Sequence, residues 1–118
     1  MKVLIVDDST IIRRSIERTI AHRGYTIRTA ANGRDALSAF AEFEPDFVTM
    51  DITMPEIDGL TCATEMLKRR PGVRILVISA LGDKLTAIEA VKRGARGFLL
   101  KPFTPQMLDT EVRELFID

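Results

Sequence analysis

Phe47-Val48-Thr49-Met50-Asp51 is a short apolar run closed by a carboxylate. Val3-Leu4-Ile5-Val6, followed by Asp7-Asp8, and Ile75-Leu76-Val77-Ile78, followed by Ser79-Ala80, have the same form. Their apolar residues are continuous rather than alternating. A strand with that pattern has both faces covered, as in a parallel sheet between two layers of helix. Tyr25-Thr26-Ile27-Arg28-Thr29-Ala30 alternates instead, with Tyr25, Ile27 and Thr29 on one side, and its mid-strand arginine suits a sheet edge. Gly97-Phe98-Leu99-Leu100 supplies a fifth, short strand, expected at the other edge.

Helical patterns occupy the intervals. Residues 9–22 place Ile12, Ile16 and Ile20 at a spacing of four, with Gly24 as a left-handed stop. A second helix opens at Asn32-Gly33, with Asn32 as N-cap, and carries Ala36, Leu37 and Phe40. The third covers residues 58–70 and stops before Pro71-Gly72. A fourth, over 83–93, is expected to turn Leu85, Ile88 and Val91 inward and to end at Gly94. The last starts with Thr104 as N-cap and Pro105 in the first helical position, then presents Met107, Leu108, Val112 and Leu115. Five β-α alternations predict an α/β, doubly wound, five-stranded parallel sheet with five helices, one domain over residues 1–118.

The 118 residues suffice for one core without disulfides or a structural metal. Seventeen Lys and Arg balance seventeen Asp and Glu. Without a surplus of cations to displace counterions, no direct binding to nucleic acid is expected. The only cysteine, Cys62, cannot form an intrachain disulfide, which suits a reducing compartment. Set among Leu60, Ala63, Met66 and Leu67, it reads as a small packed hydrophobe. Residues 1–6 form too short an apolar run for a signal peptide or a membrane span, so a cytoplasmic location without membrane contact is expected.

An open sheet of this kind binds ligands beyond the carboxyl ends of its strands. Those ends carry Asp7-Asp8, Asp51, Ser79 and Lys101-Pro102. Each residue alone has an ordinary role: Asp8 or Ser9 as a helix cap, Asp51 in a turn, Ser79 as a small strand residue, Lys101 as a solvated charge. Found together at the same ends of consecutive strands, they point to a site. Three clustered carboxylates repel one another unless a cation joins them. Mg²⁺ fits, being small, hard and content with one or two carboxylates, several waters and a phosphate oxygen. An aspartate can accept a phosphoryl group as an acyl phosphate. Lys101 would place a point charge on the phosphate oxygens, and the Ser79 hydroxyl could donate to another.

The motifs VLIVDDS (3–9), VTMDITMPEIDG (48–59), ISA (78–80) and LKPF (100–103) closely resemble those of CheY-like receiver domains of bacterial response regulators. The resemblance covers essentially the whole chain and implies the flavodoxin-like strand order 2-1-3-4-5. It implies Asp51 as phosphoacceptor, with Mg²⁺ held by Asp8 and Asp51 directly, by Asp7 through a water and by the Thr53 backbone carbonyl. Lys101 and Ser79 would contact the phosphoryl group, and the Lys101-Pro102 bond would be cis. Ser79 and Phe98 would form a switch in which the aromatic ring fills the space that the hydroxyl leaves. Because Phe98 has no phenolic hydroxyl, only packing can report that switch.

The phosphate would come from a separate histidine kinase, since the sole histidine, His22, falls in the last turn of the first helix. The responding surface would be the helix 4, strand 5, helix 5 face, where a downstream protein binds and where Lys84, Lys92 and Arg93 lie exposed. The chain would be a signalling switch rather than an enzyme, as a monomer or a phosphorylation-dependent dimer. Leu81, two residues after Ser79, offers no polar group to a hydrolytic water, so slow self-dephosphorylation is expected.

The ending at Phe116-Ile117-Asp118 favours a stand-alone regulator of the chemotaxis type. A phosphorelay intermediate or a receiver cut from a larger transcriptional regulator is the alternative. A phosphatase with an aspartyl nucleophile is more remote, because such enzymes usually carry the nucleophile after strand one with a second aspartate two residues on. A flavin or nucleotide binder ranks last: Asp7-Asp8-Ser9-Thr10 presents negative charge where a phosphate loop would lie.

Overall fold

The structure, a computed structural model, describes residues 1–117. Asp118, part of the chain-end reading, lies outside the described residues. Strands β1 (Lys2–Val6), β2 (Thr26–Ala30), β3 (Phe47–Asp51), β4 (Arg74–Ala80) and β5 (Gly97–Lys101) alternate with helices α1 (Thr10–Ala21), α2 (Gly33–Phe43), α3 (Gly59–Arg69), α4 (Lys84–Lys92) and α5 (Pro105–Glu114). The five strands form one parallel sheet in the order β2-β1-β3-β4-β5. Both edges are those read from the sequence. β3 is buried at all five positions, whereas β2 is mostly exposed, which is how a central run differs from an edge.

Two apolar layers flank the sheet. Leu4, Val48, Met50, Ile75 and Val77 face α2, α3 and α4, where Ala36, Phe40, Cys62 and Met66 meet them. Val3, Ile5, Phe47, Leu76 and Ile78 face α1 and α5, where Ile16, Ile20, Leu108 and Val112 complete the other layer. Phe47 anchors this second layer, with the rings of Tyr25 and Phe116 edge-on at 5.3 and 5.5 Å. Each such pair adds about 1 kcal/mol beyond its buried area. Cys62 is buried, and burial pushes its thiol up to about 11, which leaves it a packing residue.

Four helices start as the sequence indicates. Ser9, Asn32, Asp58 and Thr104 have extended backbones, and each side chain accepts the amide three residues on, from Ile12, Asp35, Thr61 and Met107. Gly24 adopts the left-handed conformation expected of a stop (φ 76°).

The fourth helix differs from its expected packing. A 3-10 turn, Leu81–Asp83, precedes it, and Asp83 makes no capping bond. Leu85 is 81% exposed and Val91 lies at the surface, so neither points inward; Ile88 is only half-buried. The buried residues are Ala87 and Ala90. Small side chains let α4 lie close to β4, and close approach turns its larger apolar residues outward. Met107 of α5 is exposed as well, and Thr29 near the end of the edge strand β2 is exposed where Ile27 is half-buried. Lys84, Lys92 and Arg93 are exposed as expected, with Arg93 paired to Glu89 at 3.1 Å.

Candidate functional site

The parallel order brings the ends of β1, β3, β4 and β5 to one edge. Asp7 follows β1 directly, Asp51 ends β3, Ser79 is the penultimate residue of β4 and Lys101 ends β5. Carboxylate oxygens of Asp7, Asp8 and Asp51 lie within 4.8 Å of one another. Asp7 and Asp51 are buried, while Asp8 is exposed. Lys101 reaches over from β5: its Nζ is 3.3 Å from Asp7 Oδ2 and 3.5 Å from Asp51 Oδ1.

The backbone fixes these acids. Ile52 N donates to Ile78 O, and Gly59 N, at the start of α3, donates to Ile52 O, both at 2.9 Å. α3 lies so close to the end of β3 that a Cβ on Gly59 would stand 1.9 Å from the Asp51 carbonyl oxygen. Only glycine fits there. Asp7 Oδ1 accepts the Ser9 amide at 2.9 Å, and the Arg13 guanidinium donates to the Asp7 carbonyl at 2.7 Å. Asp51 Oδ1 accepts the Thr53 amide at 3.2 Å.

Electrostatically the cluster is strained. Burial and the neighbouring Asp7 charge push the Asp51 carboxyl up to about 6, against the opposing pull of Lys101. Burial raises Asp7 as well, although the Ser9 amide and Lys101 oppose it. Asp7 Oδ2 is buried and accepts no hydrogen bond, although the Lys101 ammonium stands 3.3 Å away. One ammonium among three acids leaves a surplus of negative charge around an oxygen without a donor. A hard divalent cation satisfies both conditions, so the donor set fits a metal of the Mg²⁺ type.

Chain matches to known proteins agree with this geometry. Residues 3–113 match the family model of the response regulator receiver domain. The chain belongs to that family. Over 105 residues, and 88% of each chain, the receiver is 45% identical to chemotaxis protein CheY of Thermotoga maritima. It is 37% identical over 114 residues to the probable transcriptional regulator ycf27 of Cyanophora paradoxa, covering 97% of this chain and 47% of that protein. The crystal structure of NtrX from Brucella abortus superposes with a TM-score of 0.91 at 32% identity, over 97% of this chain and 26% of the NtrX chain. This is a CheY-like receiver of a two-component response regulator, and its strand order is the one implied by the resemblance.

The receiver gathers Asp7, Asp8, Asp51 and Lys101 into one cluster. Ser79 is fully buried on the adjoining strand, and its hydroxyl donates to its neighbour's carbonyl, Ala80 O, at 2.8 Å. Phe98 is half-buried against the layer under α2, α3 and α4. The Lys101-Pro102 bond is cis. His22 caps the C-terminus of α1. No helix among the described residues is long and apolar enough to cross a membrane.

Sequence reading missed two contributors. Gly59 follows Asp58 in a pattern that reads as an ordinary helix start, and its closeness to Asp51 becomes visible only in three dimensions. Asp83 accepts no amide of its own helix, yet its Oδ2 accepts the Thr53 hydroxyl at 2.5 Å from across the edge.

Proposed function

We propose that this receiver accepts a phosphoryl group on Asp51 from a phosphohistidine of a separate kinase. An Asp51 carboxylate oxygen forms the new O–P bond as the P–N bond of the donor breaks. The electron pair leaves with the imidazole nitrogen, which takes a proton from solvent. Elevated basicity suits the attacking group: with a pKa of about 6, Asp51 is largely ionised at neutral pH yet holds a more reactive lone pair than a free aspartate.

Asp8 and Asp51 side chains would hold Mg²⁺, with Asp7 acting through a water and Thr53 through its backbone carbonyl. The ion would supply positive charge to the phosphoryl oxygens. Lys101, already 3.5 Å from Asp51 Oδ1, would follow the charge onto the new phosphate. Ser79 would leave the Ala80 carbonyl and donate to a phosphoryl oxygen, opening space into which Phe98 can turn.

The observation that carries this reading is the pair of buried acids, Asp7 and Asp51, sharing one lysine. In the cell the receiver would work in the cytoplasm as a switch that turns over only its own acyl phosphate. Its output would be a partner protein docking on the α4-β5-α5 face, as in a stand-alone chemotaxis regulator. The longer ycf27 and NtrX relatives favour a second reading, in which the same switch governs a larger regulator or a relay.

Incubation with a small acyl phosphate and Mg²⁺, followed by intact mass, tests the core of it. One added phosphoryl group is expected, absent without Mg²⁺ and absent in Asp51→Asn. A chain that stays unmodified with donor and Mg²⁺ both in excess refutes the reading.

A further inference from the structure

Four helices are capped by the side chain that precedes them, and α4 is not. Asp83 occupies the N-cap position with φ −107° and ψ 18°, where the other four caps are extended. Aspartate is among the best cap residues, and here that capacity is unused. Its carboxylate is engaged elsewhere: Oδ2 accepts the Thr53 hydroxyl at 2.5 Å. Thr53 in turn donates its amide to Asp51 Oδ1. One residue thus ties the acceptor to the turn before α4.

That turn has little else to hold it. Leu81 is 70% exposed, and Gly82 has nothing within 4 Å of where a Cβ would stand. The Thr53–Asp83 bond is the only side-chain to side-chain bond made by the turn Leu81–Asp83 among the described residues. It spans a cleft of about 270 Å³ lined by Ile52, Thr53, Met54, Asp58, Asp83 and Thr86, so the turn has room to shift.

Ser79, at the other end of the turn, bonds Ala80 O, and it must release that carbonyl before it can reach a group on Asp51. Three residues separate Ser79 from Asp83. Moving the first strains the second.

We propose that Asp83 is a positioning residue with two exclusive partners. At rest its carboxylate holds Thr53 and keeps the 3-10 turn wound. When Ser79 moves towards Asp51, Asp83 swings to an extended backbone and caps α4 as the other four caps do. The phosphorylation-linked half rests on Asp51 being the acceptor; the competition at rest does not.

Backbone and Cβ NMR shifts of Asp83 in the unmodified chain test this, with Ser9, Asn32, Asp58 and Thr104 as internal references for an extended cap. Thr53→Val removes the hydroxyl and keeps the backbone. It is expected to move Asp83 towards the extended values and to change the conformer ratio about fivefold, the weight of one cap or one hydrogen bond. Thr53→Ser should restore the resting shifts, which a merely structural role would not require. Wild type treated with acyl phosphate and Mg²⁺ should move Asp83 in the same direction as Thr53→Val. Unchanged Asp83 shifts in Thr53→Val, or no rescue by serine, overturn the exclusive pairing. Phosphorylated wild type with Asp83 still at its resting shifts overturns the swap. Absence of any phosphorylation would instead count against the acceptor reading, and the variant comparison would still decide the pairing.

Discussion

β3, which ends in Asp51, lies between β1 and β4, and the turns that leave those two neighbours are held differently. After β1 the chain is tied at every step. Asp7 accepts the Ser9 amide, the Ser9 hydroxyl accepts the Ile12 amide at 3.3 Å, and Arg13 reaches back to the Asp7 carbonyl. After β4 the chain passes through an exposed leucine and an uncrowded glycine into an uncapped helix. The difference separates two tasks. Under the proposed function, carboxylates that would receive an ion and a phosphoryl group need fixed positions, since small displacements cost large factors in rate. A turn that would report the event, as proposed for Leu81–Asp83, needs two arrangements close in energy.

The largest effect is expected where the fixed half is forced apart. Gly59→Ala would drive a methyl into the Asp51 carbonyl. The obstacle is backbone, which cannot rotate away, so a loss of roughly 3 kcal/mol is expected, at the upper end for overpacking. Urea denaturation measures it, and phosphorylation of the folded fraction should fall with it. If Gly59→Ala were as stable as wild type, the close approach of α3 to β3 would be wrong and with it the fixed half of the contrast.

An effect of opposite sign and no larger size is expected at Asp51. Its carboxyl lies at about 6 in the folded chain against 3.8 ordinarily, so the folded state holds this proton more tightly than the unfolded state. The stability it contributes is complete below about pH 4 and is lost as pH rises through 6, roughly 3 kcal/mol in all. Asp51→Asn should therefore be more stable than wild type at pH 7.5 and nearly equal at pH 4. Excess Mg²⁺ should narrow the gap at pH 7.5, because it binds only the folded wild-type site. A variant less stable than wild type at pH 7.5 would mean that Lys101 more than compensates the buried charge.

The fixed half was legible in the sequence and the mobile half only partly. Asp7, Asp8, Asp51 and Lys101 each stand where an apolar run ends, so a parallel sheet necessarily aligns them. Helix caps such as Ser9 and Thr104 act on amides three residues away, within reach of pattern reading. α4 obeyed neither rule. Its apolar spacing of Leu85, Ile88 and Val91 suggested an inward stripe, but the buried positions are Ala87 and Ala90, because closeness to the sheet favours small residues. Asp83 opens the fourth helix in sequence, and the Thr53 hydroxyl that its carboxylate accepts lies thirty residues earlier. Competition between a local and a distant partner leaves no periodic trace.

Glycine offers the same substitution in the mobile half. Gly82 has open space around its Cβ position and a φ outside the left-handed region. Gly82→Ala should thus be neutral or stabilising by about 0.5 kcal/mol, through the unfolded chain. Paired with Gly59→Ala in one denaturation series, it gives opposite signs from one methyl group. Destabilisation beyond 1 kcal/mol or so would show that the turn is more tightly packed than its exposure suggests.

Leu81 sharpens the contrast without touching stability. At 70% exposure its replacement should leave the fold within about 0.5 kcal/mol. It stands two residues past Ser79, in the turn that leaves β4 beside the end of β3 where Asp51 would carry an acyl phosphate. Hydrolysis there needs a water held in line behind the phosphorus, and a leucine cannot accept that water's proton or direct its lone pair. Leu81→Glu or Leu81→Asn supplies an acceptor from a turn free enough to present it. Both variants are expected to shorten the phosphorylated lifetime severalfold, followed by intact mass after the donor is removed. Should the lifetime lengthen instead, the exposed leucine was not what protected the phosphate, and the mobile turn would have to shield it by closing over the site.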